Sequence, residues 1–347
     1  MADLIKSETF KTKSSRFFKG RIPFLLTWAL VIVVPIFLVP LLRKAHILTG
    51  YSNDVLARSC IAVIMVVGLN LINGFNGQFS IGHAGFMALG GYLAAMLTTK
   101  PEFSALLIGP DWFRFLTATL AGGVISASVA LLIGIPSFRL RGDYLAVLTL
   151  AFNMIIVNFF TNMEYLGGPR GLPGVMDYTN FTWIWVWLII TVLVVRNLIH
   201  SSHGRAIMSV RDNETAAELG GVDTRKYKLI SFAIGSFFAG VGGSLLAHHV
   251  MFINPSMFNI FKSFDYLLML YLGGVGSITG SVVGAVIWTI LQELLRGLGA
   301  FHMEVWRLVI GPVLLIILMI WRPKGLLGGF EIGLFKKKET GKDDNAS

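Results

Sequence analysis

Apolar residues run along this chain in blocks about as long as a bilayer is thick, separated by short polar connectors. A helix needs about 20 residues to cross the hydrocarbon core. Blocks approaching that length lie at roughly 24–42, 55–72, 82–98, 115–135, 144–161, 182–199, 228–250, 265–275, 281–297 and 305–321, with 265–275 running on into a glycine-rich turn. The pattern predicts an all-α, polytopic membrane fold of about 10 transmembrane helices, or eight to ten where segments are broken or re-entrant.

The basic residues test that count. Lys and Arg number six in the leader 1–21, two in "PSFRLRGD", five in 200–228 and six after Trp321, nineteen on one face. The opposite loops hold six: Arg43, Lys44, Lys100, Arg114, Arg170 and Lys262. This asymmetry places both termini in the cytoplasm by the positive-inside rule. Merging 265–297 into a single crossing would export the "KKK" tail, so two crossings are expected there. The leader is followed by an apolar run with no small-residue cleavage site, which predicts a first transmembrane helix and not a removed signal. The expected organisation is therefore a basic leader 1–21, a membrane domain 22–328 with a cytoplasmic loop at 200–228, and a polar tail 329–347.

Composition agrees, with 54% hydrophobic and only 14% charged residues, against about 25% charged in soluble domains. The net charge of +10 then reads as membrane topology before it reads as nucleic-acid affinity. The single cysteine, Cys60, excludes an intrachain disulfide framework and reads as a small buried hydrophobe. Small residues recur every four positions as Gly122, Ser126, Ala130, Gly134, as Gly235, Ala239, Gly243, and as Gly276, Gly280, Gly284. Such stripes let helices approach closely in lipid.

Several chemistries are disfavoured. The acids nearest to proposed spans, Asp54, Asp143, Asp265 and Glu293, fall towards their ends. Ion-coupled carriers commonly use ionisable groups at mid-membrane. The chain lacks a GxxxxGK[ST] phosphate loop and a G-x-S-x-G nucleophile elbow. His200 and His203, and the adjacent His248 and His249, have no third ligand at a recognisable spacing, so no metal is expected. Energy for active transport would have to come from another chain.

One segment stands apart. "GLNLINGFNGQFSIGHAG", Gly68 to Gly85, is polar, glycine-rich and free of acid, lysine and arginine. Its apolar flanks, about 55–69 and 84–98, are each near 15 residues, short of the ~20 needed for a span. The polar segment must therefore reach into the membrane thickness, where irregular backbone survives only inside protein or along a wet cavity. Asn73–Gly74 and Asn76–Gly77 are expected to break the helix. Asn70, Asn73, Asn76, Gln78, Ser80 and His83 become candidates for a translocation pathway, and the missing charge suits a zwitterionic or neutral cargo. A second break, "LGGVGSITGS" from Leu272 to Ser281, adds Gly274 and Ser277 in the pattern of paired discontinuous helices.

The loop 200–228 contains "RDNETAAELGG". Asp212 or Asn213 can cap a short helix ended by Gly220–Gly221. That helix is either a solvated connector or a docking element for a soluble partner.

The loop resembles the alanine-glycine coupling motif of ABC importer permeases. Further blocks extend the likeness: the Gly68–Gly85 stretch, "LRGDYLAVLTLAF", "GGPRGLPGV", "GRAIMSVRDNETAAELGGVDTRKYK", "LLMLYLGGVGSITGSVVGA" and "RPKGLLG". In that order they resemble the second permease of the branched-chain amino-acid ABC importers, the LivM family, over most of residues 60–328. The resemblance implies half of a translocation pathway in a bacterial inner membrane, for branched-chain or other small neutral amino acids. It implies a homologous second permease, two cytoplasmic ATPases and a periplasmic or extracellular binding protein, with no nucleic acid involved. This chain would be no enzyme and would carry no cofactor, ATP and Mg being bound by the ATPases. Arg211, Asp212, Glu214, Ala216, Ala217 and Gly220 would couple it to them. Urea or short-chain amides are the alternative cargo within this class, and a self-contained secondary transporter or channel is the alternative outside it.

Overall fold

The computed structural model describes residues 49–104, 109–138 and 144–297, with isolated positions within 35–41 and 309–331. The chain divides into two compact units, Met1–Gly50 and Tyr51–Ser347, and the fold that follows is that of the second. Most of the proposed spans 24–42 and 305–321, the leader 1–21 and nearly all of the tail 329–347 lie outside the described residues, as do Arg139 and Arg141.

The described part is a helical membrane protein. In chain order its helices are α1 (Gly50–Asn70), α2 (His83–Thr99), α3 (Asp111–Ser137), α4 (Tyr144–Thr161), α5 (Phe181–His200), α6 (Ser202–Asp212), α7 (Glu214–Leu219), α8 (Thr224–Val250), α9 (Ile260–Gly273) and α10 (Ile278–Gly297). A two-residue antiparallel pair, β1 (Leu172–Pro173) with β2 (Phe252–Ile253), ties the segment after α4 to the end of α8.

Five described helices are long and apolar enough to cross a membrane: Gly50–Phe75, Asp111–Ser137, Phe181–His200, Thr224–Val250 and Ile278–Arg296. A sixth is added if Leu145–Thr161 and Glu164–Arg170, bent by 79° at their junction, form one span. The expected ten is not reached among the described residues. Two of the missing spans fall outside them, and two others are short. α2 has 17 residues and α9 has 14, or roughly 25 and 21 Å at the helical rise, less than the ~30 Å hydrocarbon core.

Small residues set the packing. α8 lies against α2 and α3 with almost nothing between the backbones: a methyl group on Gly90 would collide with the Gly240 backbone, and one on Gly243 with the Met87 carbonyl. Ser126 Oγ on α3 donates to the Phe86 carbonyl at 2.9 Å, and Ser244 Oγ on α8 to the Gly90 carbonyl at 3.1 Å. The stripes on α3 and α8 are therefore the contact seams that their spacing suggests. α9 and α10 form an antiparallel hairpin, with Gly273 against Gly280 and Met269 against Gly284.

Valine in place of Gly90 is expected to push α2 from α8 and lower stability by about 1–3 kcal/mol. Earlier thermal unfolding of the purified variant in detergent is the measurement.

Candidate functional site

Two interruptions of regular helix meet inside the protein. The first follows α1, which does not stop at its Asn-Gly pair. It widens into a π-helical turn, Leu71–Phe75, so that the continuous helix runs from Gly50 to Phe75. The expected shortage of length on this side is absent, and Asn73–Gly74 lies within the helix instead of breaking it. The break comes at the second pair, where Gly77 takes φ +71° and irregular chain continues to Gly82. The shortage falls on α2 alone.

Depth follows from the neighbours. The His83 ring, at the start of α2, lies beside Gly68. The seven residues from Leu69 to Phe75 carry α1 roughly 10 Å beyond that level. Residues 76–82 must cover the same distance back, so the polar segment does lie within the helical layer.

The amides divide into two groups. Asn70 Nδ2 donates to the Ser277 carbonyl at 2.9 Å and to Ser281 Oγ at 2.8 Å, while its Oδ1 accepts from the Gly276 N–H at 2.9 Å. One side chain thus bonds across to the second break, where Gly274 and Gly276 take φ +125° and +79°. Gly74 must be glycine because the Asn70 side chain occupies the place of its Cβ. Asn73 closes the loop on itself, its Nδ2 donating to the Ser80 carbonyl at 3.3 Å and its Oδ1 accepting from the Ser80 N–H at 3.2 Å. These two amides hold the breaks in shape.

Asn76 and Gln78 are different. They are 2% and 8% exposed, and neither side-chain amide makes a hydrogen bond within the protein. The Ser80 hydroxyl is likewise unbonded and buried, and neither ring nitrogen of His83 forms a well-aligned bond. Asn76, Gln78 and Phe79 form one wall of a cleft of about 1030 Å³, whose other wall includes Arg211, Asp212, Glu214 and Glu218.

The loop residues are positioned by local capping. The Asn213 side chain accepts from the Ala216 N–H at 3.0 Å and starts α7, so Asn213 rather than Asp212 is the cap. Gly221 (φ +80°) ends it, with the Val222 N–H bonded to the Ala217 carbonyl at 3.0 Å. Glu214 pairs with Lys228 and anchors α7 on α8. Ala217 is buried, Ala216 and Gly220 are exposed, and Leu219 is 87% exposed, a large apolar residue facing outward. Arg211 reaches the break directly: Nη1 donates to the Gly74 carbonyl at 3.4 Å, and the side-chain stem packs on Gly77. Its Nε and Nη2 donate to Asp212 Oδ1 at 3.0 and 2.8 Å.

Sequence reasoning overlooked three contributors. Thr149 on α4 and Ser263 on α9 accept from the N–H groups of Ile81 and Ala84, both at 3.1 Å, and fix the start of α2. Thr149 and Asn153, polar positions four apart in the mostly apolar first part of α4, were a usable signal. Glu331, assigned by sequence to the polar tail, accepts from the Ile278 N–H at 2.7 Å and from the Thr279 hydroxyl at 2.7 Å, capping α10. No local pattern announces that contact. The histidines do not converge: His248 bonds Thr98 and Ser244, His249 bonds Asp54, and His200 and His203 meet Arg196 and Tyr227.

Comparison with known proteins places this arrangement. The profile of the family described as branched-chain amino acid transport system / permease component matches residues 52–318. The chain belongs to that family. It is 31% identical to the high-affinity branched-chain amino acid transport system permease protein LivM of Salmonella typhimurium, over 80% of this chain and 70% of the relative. It is 27% identical to a probable LivM of Methanocaldococcus jannaschii, over 63% and 69%. It is also 23% identical to the permease LivH of Salmonella typhimurium, over 83% and 97%. No solved structure matches the chain at a significant level.

Replacing Asn70 by leucine is expected to strand the Gly276 N–H, at about 1–3 kcal/mol for a buried group, while the Ser277 carbonyl keeps its bonds from the Ser281 N–H and hydroxyl, both at 3.0 Å. Hydrogen exchange at the Gly276 amide should accelerate and thermal unfolding should come earlier. Asn76→Leu breaks no internal side-chain bond and should not bring thermal unfolding earlier.

Proposed function

We propose that this permease is one half of the membrane pathway of an ATP-driven importer for branched-chain or other small neutral amino acids. The observation that carries the reading is the contact of Arg211 with Gly74 and Gly77: the docking loop touches the broken helix with no intervening element. A movement of the loop that shifts the end of α6 therefore bears on the break through the Arg211 side chain.

On this reading Asn76, Gln78, Ser80 and His83 line the path, while Asn70, Asn73, Gly274 and Ser277 shape it. Unbonded amides suit a zwitterion, offering an N–H to a carboxylate and a carbonyl to an ammonium without a fixed charge. Arg211, Asp212, Glu214, Ala216, Ala217 and Gly220 form the coupling surface, with Leu219 as its apolar anchor. The partners are two ATPases that bind ATP and Mg on the cytoplasmic side, a binding protein outside, and a homologous second permease. Likeness to both LivM and LivH relatives supports the last of these. The location is a bacterial inner membrane with both termini in the cytoplasm.

Gly220 provides the test. It is exposed, and a Cβ there would lie 3.3 Å from the Ala217 carbonyl, so Gly220→Trp asks the end of α7 to give by only a few tenths of an ångström. Expected outcomes are normal membrane insertion, loss of co-purifying ATPase and a drop in uptake of at least about tenfold, the size of a 1.4 kcal/mol effect. Unchanged uptake would overturn the coupling assignment.

A further inference from the structure

α4 carries two polar side chains on its buried face, Thr149 and Asn153, four residues apart and so stacked one turn above the other. Thr149 is fully used: its Oγ1 accepts from the Ile81 N–H and donates to the Ala146 carbonyl, both at 3.1 Å. Asn153 is not. It is 1% exposed, and neither its amide oxygen nor its amide nitrogen makes a hydrogen bond within the protein. It stands nine residues after Tyr144 and eight before Thr161, close to the midpoint of α4.

The side chain is directed at the first turn of α2. A Cβ on Gly85 would sit 3.1 Å from Asn153 Oδ1, so the bare glycine leaves the amide facing the helix start. The Phe86 and Phe152 rings close one side, their centroids 4.7 Å apart. Ser80, whose hydroxyl is also buried and unbonded, lies just before the same turn. A mid-membrane amide without a partner is strongly unfavourable, and a leucine of similar size would fill the space without that penalty. Among the described polar side chains of α4, Asn153 has no structural task that accounts for it.

We infer that Asn153 contacts the transported solute as it passes the start of α2, an inference that rests on the permease function proposed above. The solute class is a small neutral amino acid: the Asn153 N–H donates to its carboxylate and the amide oxygen accepts from its ammonium. The position adds α4 to a path otherwise formed by the break after α1. It also makes Asn153 a determinant of which polar head group can pass.

The experiment uses the assembled transporter, with its companion permease, ATPases and binding protein, in proteoliposomes supplied with labelled leucine. Asn153→Leu is expected to leave thermal unfolding and ATP hydrolysis unchanged while the maximal rate of leucine uptake falls at least tenfold. Asn153→Ser, which keeps a donor and an acceptor, should recover part of that rate. If the wild-type complex imports leucine and Asn153→Leu imports it equally well, the inference is overturned and the permease reading stands. If thermal stability and uptake fall together in both variants, Asn153 is a structural residue and the inference again fails. A wild-type complex that hydrolyses ATP but imports no leucine overturns the amino-acid reading and this inference with it.

Discussion

Backbone N–H and carbonyl groups in the hydrocarbon layer must find partners inside the protein, since each one left unbonded there is costly. Continuous helix meets this requirement automatically, and this chain departs from it at two described places that lie side by side. The Asn70 side chain resolves much of the conflict. It supplies the acceptor for the Gly276 N–H, a backbone group that the glycine turn leaves without a carbonyl, and adds a donor to the Ser277 carbonyl, which also accepts from the Ser281 N–H. The remaining features follow. Gly74 has to be bare so that this side chain fits, and α9 and α10 have to arrive as a tight hairpin so that residues 276 and 277 face it. Glu331 caps the helix start on the other side of the turn.

The second constraint is the close approach of backbones in a solvent that gives helices no hydrophobic reason to associate. α8 uses it along its length, meeting α1 at Gly235, and α3 and α2 at Gly240 and Gly243. This 27-residue helix is about 40 Å long at the helical rise. One end is held to α7 by the Lys228–Glu214 pair, and the other runs through Met251, in the left-handed conformation at φ 56°, into the β1–β2 pair. A rigid element thus joins the 200–228 loop to the segment containing "GGPRGLPGV".

Much of this was legible in the sequence because it is periodic or compositional. Four-residue spacing found the α3 and α8 seams, and the apolar block lengths pointed to a polar stretch within the helical layer, although the shortage falls on α2 alone. Capping chemistry located α7 to within one residue. Three features were hidden. The Asn73–Gly74 pair reads as a turn, but the side chain of Asn70 fills the space over Gly74 and the chain stays helical in a wider turn. Arg211 meets Gly74 across 137 residues, and Glu331 meets Ile278 across 53. Such pairs depend on how helices are arranged, and no local pattern encodes them. For the same reason the sequence treats the six polar residues of the stretch alike, whereas the fold spends Asn70 and Asn73 on structure and leaves Asn76 and Gln78 unbonded.

The electrical character of the cleft follows from these pairings. Arg211 is a cation at the lip of the break, yet Asp212 lies against its guanidinium, and Nη1 is turned to a carbonyl oxygen. On the same wall Glu214 is matched by Lys228, and Glu218 accepts from the Thr224 hydroxyl at 2.9 Å. A lone charge facing Asn76 and Gln78 would favour one end of a zwitterion and slow its departure, because an unscreened ion pair in a dehydrated cavity is strong. Arg225, on the same cleft, donates to the Ile135 carbonyl at 3.2 Å. With two ion pairs formed within the loop and Glu218 and Arg225 held by neutral groups, the charged residues are occupied away from the amides of the break. On the function proposed above, the loop carries charge for docking while the path beside it stays neutral.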